Sequence, residues 1–367
     1  MKSKLGKMFV DFKKGWFVLV ILILIAPLSS AMSAEAKLKT MTRNLYLGAD
    51  IFRVAQAAQD DPATVPFVVA DVFQTVLDTN FAERAEAIAD EIASAKPQVI
   101  GLQEVSTFYI QTPGDFIFGN PNEADDLVID FYAVLDSALK DRGMYYDAFA
   151  VTNADVELPM IDPNSPTYFS DVRMVDHDVI LVRKGHPAVE VLANNYSLNL
   201  EMNLGGVNVA FTRGFIIVDV VIKDQSFRFV NTHLELNSLP DSVYRFVQSM
   251  QMQELLGYIE GLADSKPIIM VGDFNSSPDD VPGVYTHPLI GPLQYFPPYM
   301  QAVDAGYLDT WLLQSKYDEG YTDHFDETVS DPDAELTSRI DFVFLDPSDL
   351  TVDEVNCYLV GNEMADM

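Results

Sequence analysis

Residues 268–275 read Ile268-Ile269-Met270-Val271-Gly272-Asp273-Phe274-Asn275. A short apolar run of this kind, closed by glycine, predicts a buried strand, and its end delivers an acid and an amide in quick succession. The same pattern recurs on either side. Val99-Ile100-Gly101-Leu102-Gln103 runs into Glu104, and residues 227–230 run into Asn231-Thr232-His233-Leu234-Glu235. Residues 37–44 alternate as a strand and close on Asn44, while Ser338-Arg339-Ile340-Asp341 opens the apolar stretch 340–345. Side chains at strand ends leave the packed interior while the backbone stays rigid, which is where sheet proteins build ligand sites.

Between these strands lie helical periods. Residues 68–77 and 81–95 read as helices, the second stopped by Pro97, and 127–139 and 241–262 read as two more. Val243, Phe246, Val247 and Met250 are the expected inward face of the last. Further β-rich runs fall at 179–182, 189–192, 211–222 and 352–359. The Pro- and Asp-rich stretches 155–177 and 278–299 read as surface loops, and Tyr295-Phe296-Pro297-Pro298-Tyr299 as a core-packing turn, with a membrane-touching loop as the alternative. Mixed strands and helices without repeats or a linker predict one α+β layered domain over 37–367.

Composition narrows the class. The 367 residues carry 55 Asp+Glu against 23 Lys+Arg, a net charge of −32, so little could build the basic patch that nucleic acid or an anionic membrane needs. A hydrophobic fraction of 49% excludes a disordered chain, and the lone Cys357 excludes a disulfide framework or a Cys-based zinc site. Lys2, Lys4, Lys7, Lys13 and Lys14 precede an apolar run from Trp16 to Leu28, too short to span a bilayer but suited to a secretory signal. Cleavage after Ala36, or after Ala31, is expected, with an uncleaved anchor as the alternative. Removal of 1–36 leaves 18 basic against 53 acidic residues, −35 net. The expected location is secreted or periplasmic.

Acids and amides at strand ends, with only five histidines and none at zinc spacing, suit a hard, oxygen-seeking cation: Mg²⁺, or Mn²⁺ or Ca²⁺. One such residue alone would be a solvated strand end, a turn or a structural histidine. Glu, Asp, two Asn and a His together describe a metal-assisted phosphoryl site.

Leu102-Gln103-Glu104-Val105, Asn231-Thr232-His233-Leu234, Gly272-Asp273-Phe274-Asn275 and Arg339-Ile340-Asp341-Phe342, in that order, resemble the endonuclease/exonuclease/phosphatase superfamily of deoxyribonuclease I over residues 40–345. The resemblance implies a four-layer α/β/β/α sandwich of two packed mixed sheets. It makes Glu104 the principal metal ligand, supported by Asn44, which also serves phosphate. It makes His233 a phosphate contact, Asp273 the group that orients or activates water, and Asn275 a phosphate-binding amide. Asp341 becomes the acid that fixes the catalytic histidine's tautomer. Asn231 and Arg213 are further candidate phosphate contacts, and Asp309-Thr310-Trp311 is expected to be scaffold.

The family closes with a Ser-Asp-His box, and nothing after Asp341 is a histidine. The preceding boxes are intact, so the expectation is that the sequence stops short of that box, the alternative being a variant lacking its imidazole acid/base. His177 and His324 are read as loop residues and poor substitutes. The implied activity is a secreted metal-dependent phosphoesterase, acting as a monomer without an obligate protein partner. Its substrate would be a nucleic acid, a phospholipid head group or a small phosphodiester. The alternatives are a sphingomyelinase- or phospholipase C-like lipid phosphodiesterase, or a non-catalytic phosphate-binding module.

Overall fold

Phe342 and Phe344 point to one side of their strand and Val343 and Leu345 to the other, all four buried. A strand buried on both faces must lie between two apolar layers, and this period-two division repeats through the molecule. The computed structural model describes residues 18–27, 36–119, 122–204, 207–237, 242–262, 264–314, 318–329, 331, 334–348 and 350–361.

In chain order the elements are β1 (Val18–Pro27), β2 (Ala36–Asn44), α1 (Phe52–Asp60), α2 (Val65–Asp78), α3 (Phe81–Ala95), β3 (Val99–Gln103), β4 (Thr107–Gln111) and β5 (Asp126–Asp130). Then come α4 (Phe131–Asp141), β6 (Tyr146–Ile161), β7 (Phe169–Arg183), β8 (Ala188–Asn195), β9 (Leu200–Leu204), β10 (Val207–Phe211), β11 (Gly214–Ile222), β12 (Gln225–His233) and α5 (Ser242–Gly261). The chain continues through β13 (Ile268–Asp273), β14 (Gly283–His287), β15 (Gly291–Tyr295), α6 (Pro298–Asp304), β16 (Leu308–Asp309), β17 (Asp341–Asp346) and β18 (Leu350–Val360).

One sheet runs β18-β1-β2-β3-β7-β4-β5, with β6 paired to β7; the other runs β16-β17-β13-β12-β11-β8. Each contains one parallel pair, β2/β3 and β12/β13, so both are mixed. Ile180 and Val182 meet Ile216, Val218, Phe229 and Val271 between the sheets. On the outer face of the first sheet, Ile100, Val179 and Leu181 pack with Phe81, Ile88 and Phe131 of α3 and α4. On the outer face of the second, Phe215, Val230 and Phe344 pack with Met252, Leu255 and Ala302 of α5 and α6. The result is the four-layer α/β/β/α sandwich. Gly101 shows how closely the sheets approach: a Cβ there would stand 2.4 Å from Val271 Cγ2 and 2.7 Å from Asn231 Oδ1.

Helix ends follow local chemistry. Lys96 adopts a left-handed conformation (φ 55°) that ends α3 just before Pro97. Asp130 accepts from the Ala133 amide and starts α4, so the expected helix over 127–139 is a strand followed by a helix. The stretch 155–177 is not a loop: it joins the long antiparallel strands β6 and β7, and Asp155 is paired across the ladder, Arg173 donating to both of its carboxylate oxygens at 2.6 and 2.7 Å. His177 accordingly lies in a strand, not a loop. Residues 278–299 hold the hairpin β14–β15 and the start of α6; Tyr295 and Pro298 are buried as the core-packing turn requires. In α5 the inward positions are Val247, Met252 and Leu255, whereas Met250 is exposed. Of the expected leader, Val18–Pro27 forms β1, antiparallel to β2 and β18, and residues 1–17 and 28–35 lie outside the described residues.

Candidate active site

The parallel pairs decide where the polar residues go. β2 and β3 end side by side, with Asn44 opposite Gln103 and Glu104 immediately beyond. In the other sheet the register places His233, Asp273 and Asp341 in one row across β12, β13 and β17. Stacking the sheets brings both sets to one cleft of about 510 Å³, which Asn44, Glu104, Arg213, His233, Asp273, Asn275 and Asp341 all line. Seven of the eight predicted site residues therefore meet.

Asn44 joins the two sheets at the cleft floor. Its Nδ2 donates to Glu104 Oε1 at 2.9 Å and to Asp273 Oδ2 at 3.1 Å, while its Oδ1 accepts from the Tyr46 amide at 2.8 Å. The Leu47 amide donates to the other Glu104 oxygen at 2.7 Å. Glu104 and Asn275 both sit at positive φ, 55° and 48°, backbone conformations uncommon outside glycine that recur at functional sites. The Asn275 amide N–H donates to Asp273 Oδ1 at 2.9 Å.

His233 receives two donors. Arg213 Nη1 lies 3.0 Å from Nδ1, and Asn275 Nδ2 lies 3.2 Å from Nε2. A neutral imidazole accepts at one nitrogen only, and Asn275 Nδ2 also donates to the Leu234 carbonyl at 3.0 Å. Burial, then the Arg213 charge, hold the ring's pKa well below the usual histidine value. Arg213 also approaches the buried Glu235 at 3.6 Å, so it braces His233 from behind while reaching the cleft.

Burial pushes Asp273 well above the ordinary carboxylate range, with Asp341 adding repulsion, and pushes Asp341 up to about 7. Glu104 moves upward for the same reason, against the opposing Asn44 hydrogen bond. Carboxylates raised together in one cleft are what a bound cation would relieve. The donors are oxygens, as a hard cation prefers. Among the described residues no three His, Cys, Asp or Glu are close enough to hold an ion unaided. An ion here would take one or two carboxylates and complete its shell with water or phosphate oxygen, the habit of Mg²⁺ rather than of a Ca²⁺ cage.

Asn231 is a correction. It is fully buried, accepts from Gln103 Nε2 at 2.6 Å and donates to the Leu102 and Val179 carbonyls at 2.9 and 3.1 Å. All its capacity is spent between the sheets, and it does not line the cleft. Among the described residues no imidazole bonds to Asp341, and Thr322 Oγ1 accepts from its amide at 3.3 Å. Asp309 is scaffold as expected, taking Arg339 Nη1 and Nη2 at 3.1 and 2.7 Å in a buried ion pair.

The sequence motifs assign no role to Asp176 and Asp178, two buried acids of β7, of which Asp176 lines the cleft. Their signal was present as carboxylates at alternate positions of a β-rich run. The motifs also pass over the rim acids Asp50, Asp323 and Asp326, which loops supply without periodicity.

A family model described as Endonuclease/Exonuclease/phosphatase family matches residues 78–364. No curated protein sequence matches the chain. Among solved structures, a mannosyl-6-phosphatase of Bacteroides thetaiotaomicron is similar at 17% identity, covering 85% of this chain and 86% of that one, with a TM-score of 0.47. An endonuclease/exonuclease/phosphatase protein of Beutenbergia cavernae is similar at 20% identity over 85% of this chain and 64% of that one, with a TM-score of 0.44.

Proposed function

The chain belongs to the endonuclease/exonuclease/phosphatase family of phosphoester hydrolases, and from that premise we propose that it is a secreted, Mg²⁺-dependent phosphoesterase acting on small phosphoesters. The observation that carries this is the bridge from Glu104 through Asn44 Nδ2 to Asp273, at 2.9 and 3.1 Å, which fixes two carboxylates from different sheets around one point.

Glu104, with Asn44, would hold the cation, which when bound draws charge from the phosphate. The remaining work falls to this chain's own groups. Asn275 Nδ2, His233 and Arg213 present N–H donors toward the phosphate oxygens. Asp273, held by the Asn44 side chain and the Asn275 amide, takes the proton of the attacking water. That water forms the new P–O bond in line as the ester P–O bond breaks, and the departing alkoxide takes a proton from solvent water. Rim acids Asp50, Asp323 and Asp326 and the −32 net charge disfavour a polyanion, which places small esters ahead of nucleic acid. Export is proposed from the basic, apolar leader; N-terminal sequencing of protein recovered outside the cell tests it.

The deciding assay is hydrolysis of bis-p-nitrophenyl phosphate with Mg²⁺ and with EDTA. Turnover that EDTA abolishes supports the reading; turnover indifferent to EDTA, or none, overturns it. A second reading, a lipid phosphodiesterase, has one observation in its favour: the β14–β15 hairpin carries Leu289 and Ile290 at its tip, 88% and 69% exposed. Sphingomyelin hydrolysis measured beside plasmid nicking and the small diester separates the classes.

A further inference from the structure

Helices α1 and α2 lie over the strands β6 and β7, and the space between them opens as a pocket of about 70 Å³. Val69, Val72 and Phe73 of α2 form one wall, and Val156, Val172 and Met174 of the two strands form the other. Every lining residue is apolar, so water inside would find no hydrogen-bond partners, and such cavities take hydrocarbon instead. The pocket adjoins the catalytic cleft: Ile51, Met174 and Phe211 line both and form the wall that the two spaces share. Phe52 stacks on Phe211 with ring centres 5.9 Å apart and steadies that shared edge. The cleft rim also carries Asp323, Asp326 and Glu327, and Glu327 is tied to Arg53 at 2.9 Å. A substrate with a second anionic group would meet those acids, whereas an apolar group has the dry pocket to enter.

We propose that the pocket seats the organic group of the substrate, and that the protein acts on phosphate esters of an apolar alcohol, alkyl or aryl. This rests on the phosphoesterase reading above and adds the substrate class. The phosphate lies at Asn44, His233 and Asn275; the hydrocarbon passes between Ile51, Phe211 and Met174.

Calorimetric titration of the Mg²⁺-loaded protein with methyl phosphate and with n-butyl phosphate tests it. Each methylene removed from water is worth up to about fourfold in affinity, so the butyl ester should bind about 10- to 60-fold tighter, with a more negative heat-capacity change. Val72→Phe, which fills the pocket, should bring the two affinities together. If circular dichroism shows that variant unfolded, Val69→Phe makes the same test from the neighbouring turn. Methyl and butyl esters binding equally would overturn the proposal and leave the phosphate site standing. Binding of neither would remove the phosphoesterase reading, and this inference with it.

Discussion

Gln103 Nε2 donates to Asn231 Oδ1 at 2.6 Å, and through this bond β3 of one sheet is fastened to β12 of the other directly behind the cleft. The Asn231 amide then caps two carbonyls of the first sheet, Leu102 and Val179. A residue that looks like a substrate ligand in sequence is therefore part of what positions the ligands.

Its replacement should be read in stability. Asn231→Leu leaves the Gln103 amide only its 3.3 Å bond to Thr42 Oγ1 and takes the side-chain donor from the Leu102 and Val179 carbonyls, and buried unsatisfied groups cost about 1–3 kcal/mol each. A loss of about 3 kcal/mol or more, a fall in melting temperature of roughly 6–12 °C, is expected. The KM of whatever fraction remains folded should be unchanged. A large rise in KM with an unaltered melting temperature would return Asn231 to the substrate.

The cleft floor gives a second expectation. Asn44 touches both Glu104 and Asp273, so Asn44→Ala removes the group that orients them. Loss of such an orienting partner costs about 10- to 100-fold in metal affinity, measurable by Mg²⁺ titration. Glu104→Gln should abolish cation-dependent hydrolysis while moving the melting temperature by only a few degrees. Full activity in that variant would show that Glu104 is not the metal ligand.

Much of this was legible because the strands announce themselves. Residues 268–275 pass from apolar run to Gly272 to Asp273 without a break, and a strand that stops so sharply places its next side chains at the sheet's edge. What stayed hidden was direction. Asn231 and His233 are two apart in one strand and share a side of the sheet, yet Asn231 lies one pleat deeper, where Gln103 claims it. The acids of 155–177 suggested a loop because their partner, Arg173, is found only once β6 and β7 are paired. Loop residues such as Asp50 and Asp323 reach the cleft through tertiary structure alone, which no period encodes.

The raised carboxyls make cation-free stability depend on pH. In the unfolded chain, Asp ionises near 4; folded, Asp341 holds its proton up to about 7, and Asp273, Glu104, Asp176 and Asp178 shift the same way. Between about pH 4 and 7 the folded state binds more protons, so stability falls as pH rises through that window. His233 contributes the opposite slope, its depressed pKa costing stability as pH drops below about 6.5. Five acids outweigh one imidazole. In EDTA the melting temperature should therefore decline from about pH 5 to about pH 8, and saturating Mg²⁺ should restore it most at the alkaline end. A melting temperature in EDTA that climbs across that range would contradict the cluster's electrostatics.

Asp178 isolates one contribution to that slope. Neither of its carboxylate oxygens has a hydrogen-bond partner among the described residues, and it is fully buried beside Asp176. Burial, then the Asp176 charge, raise its pKa well above the ordinary value, so the folded protein keeps it neutral at a cost that grows with pH. Asn153 Oδ1 nearby also lacks a donor. Asp178→Asn supplies a permanently neutral group of the same shape with N–H donors to offer that oxygen. At about pH 8 without metal the variant should melt higher than the parent, and at about pH 4, where both are neutral, the two should coincide. Asp178→Ala at the same pH values controls for packing, since it removes the charge but leaves a cavity. If Asp178→Asn destabilises the protein at pH 8, the carboxylate is ionised in the fold, with Arg213 as its counter-charge.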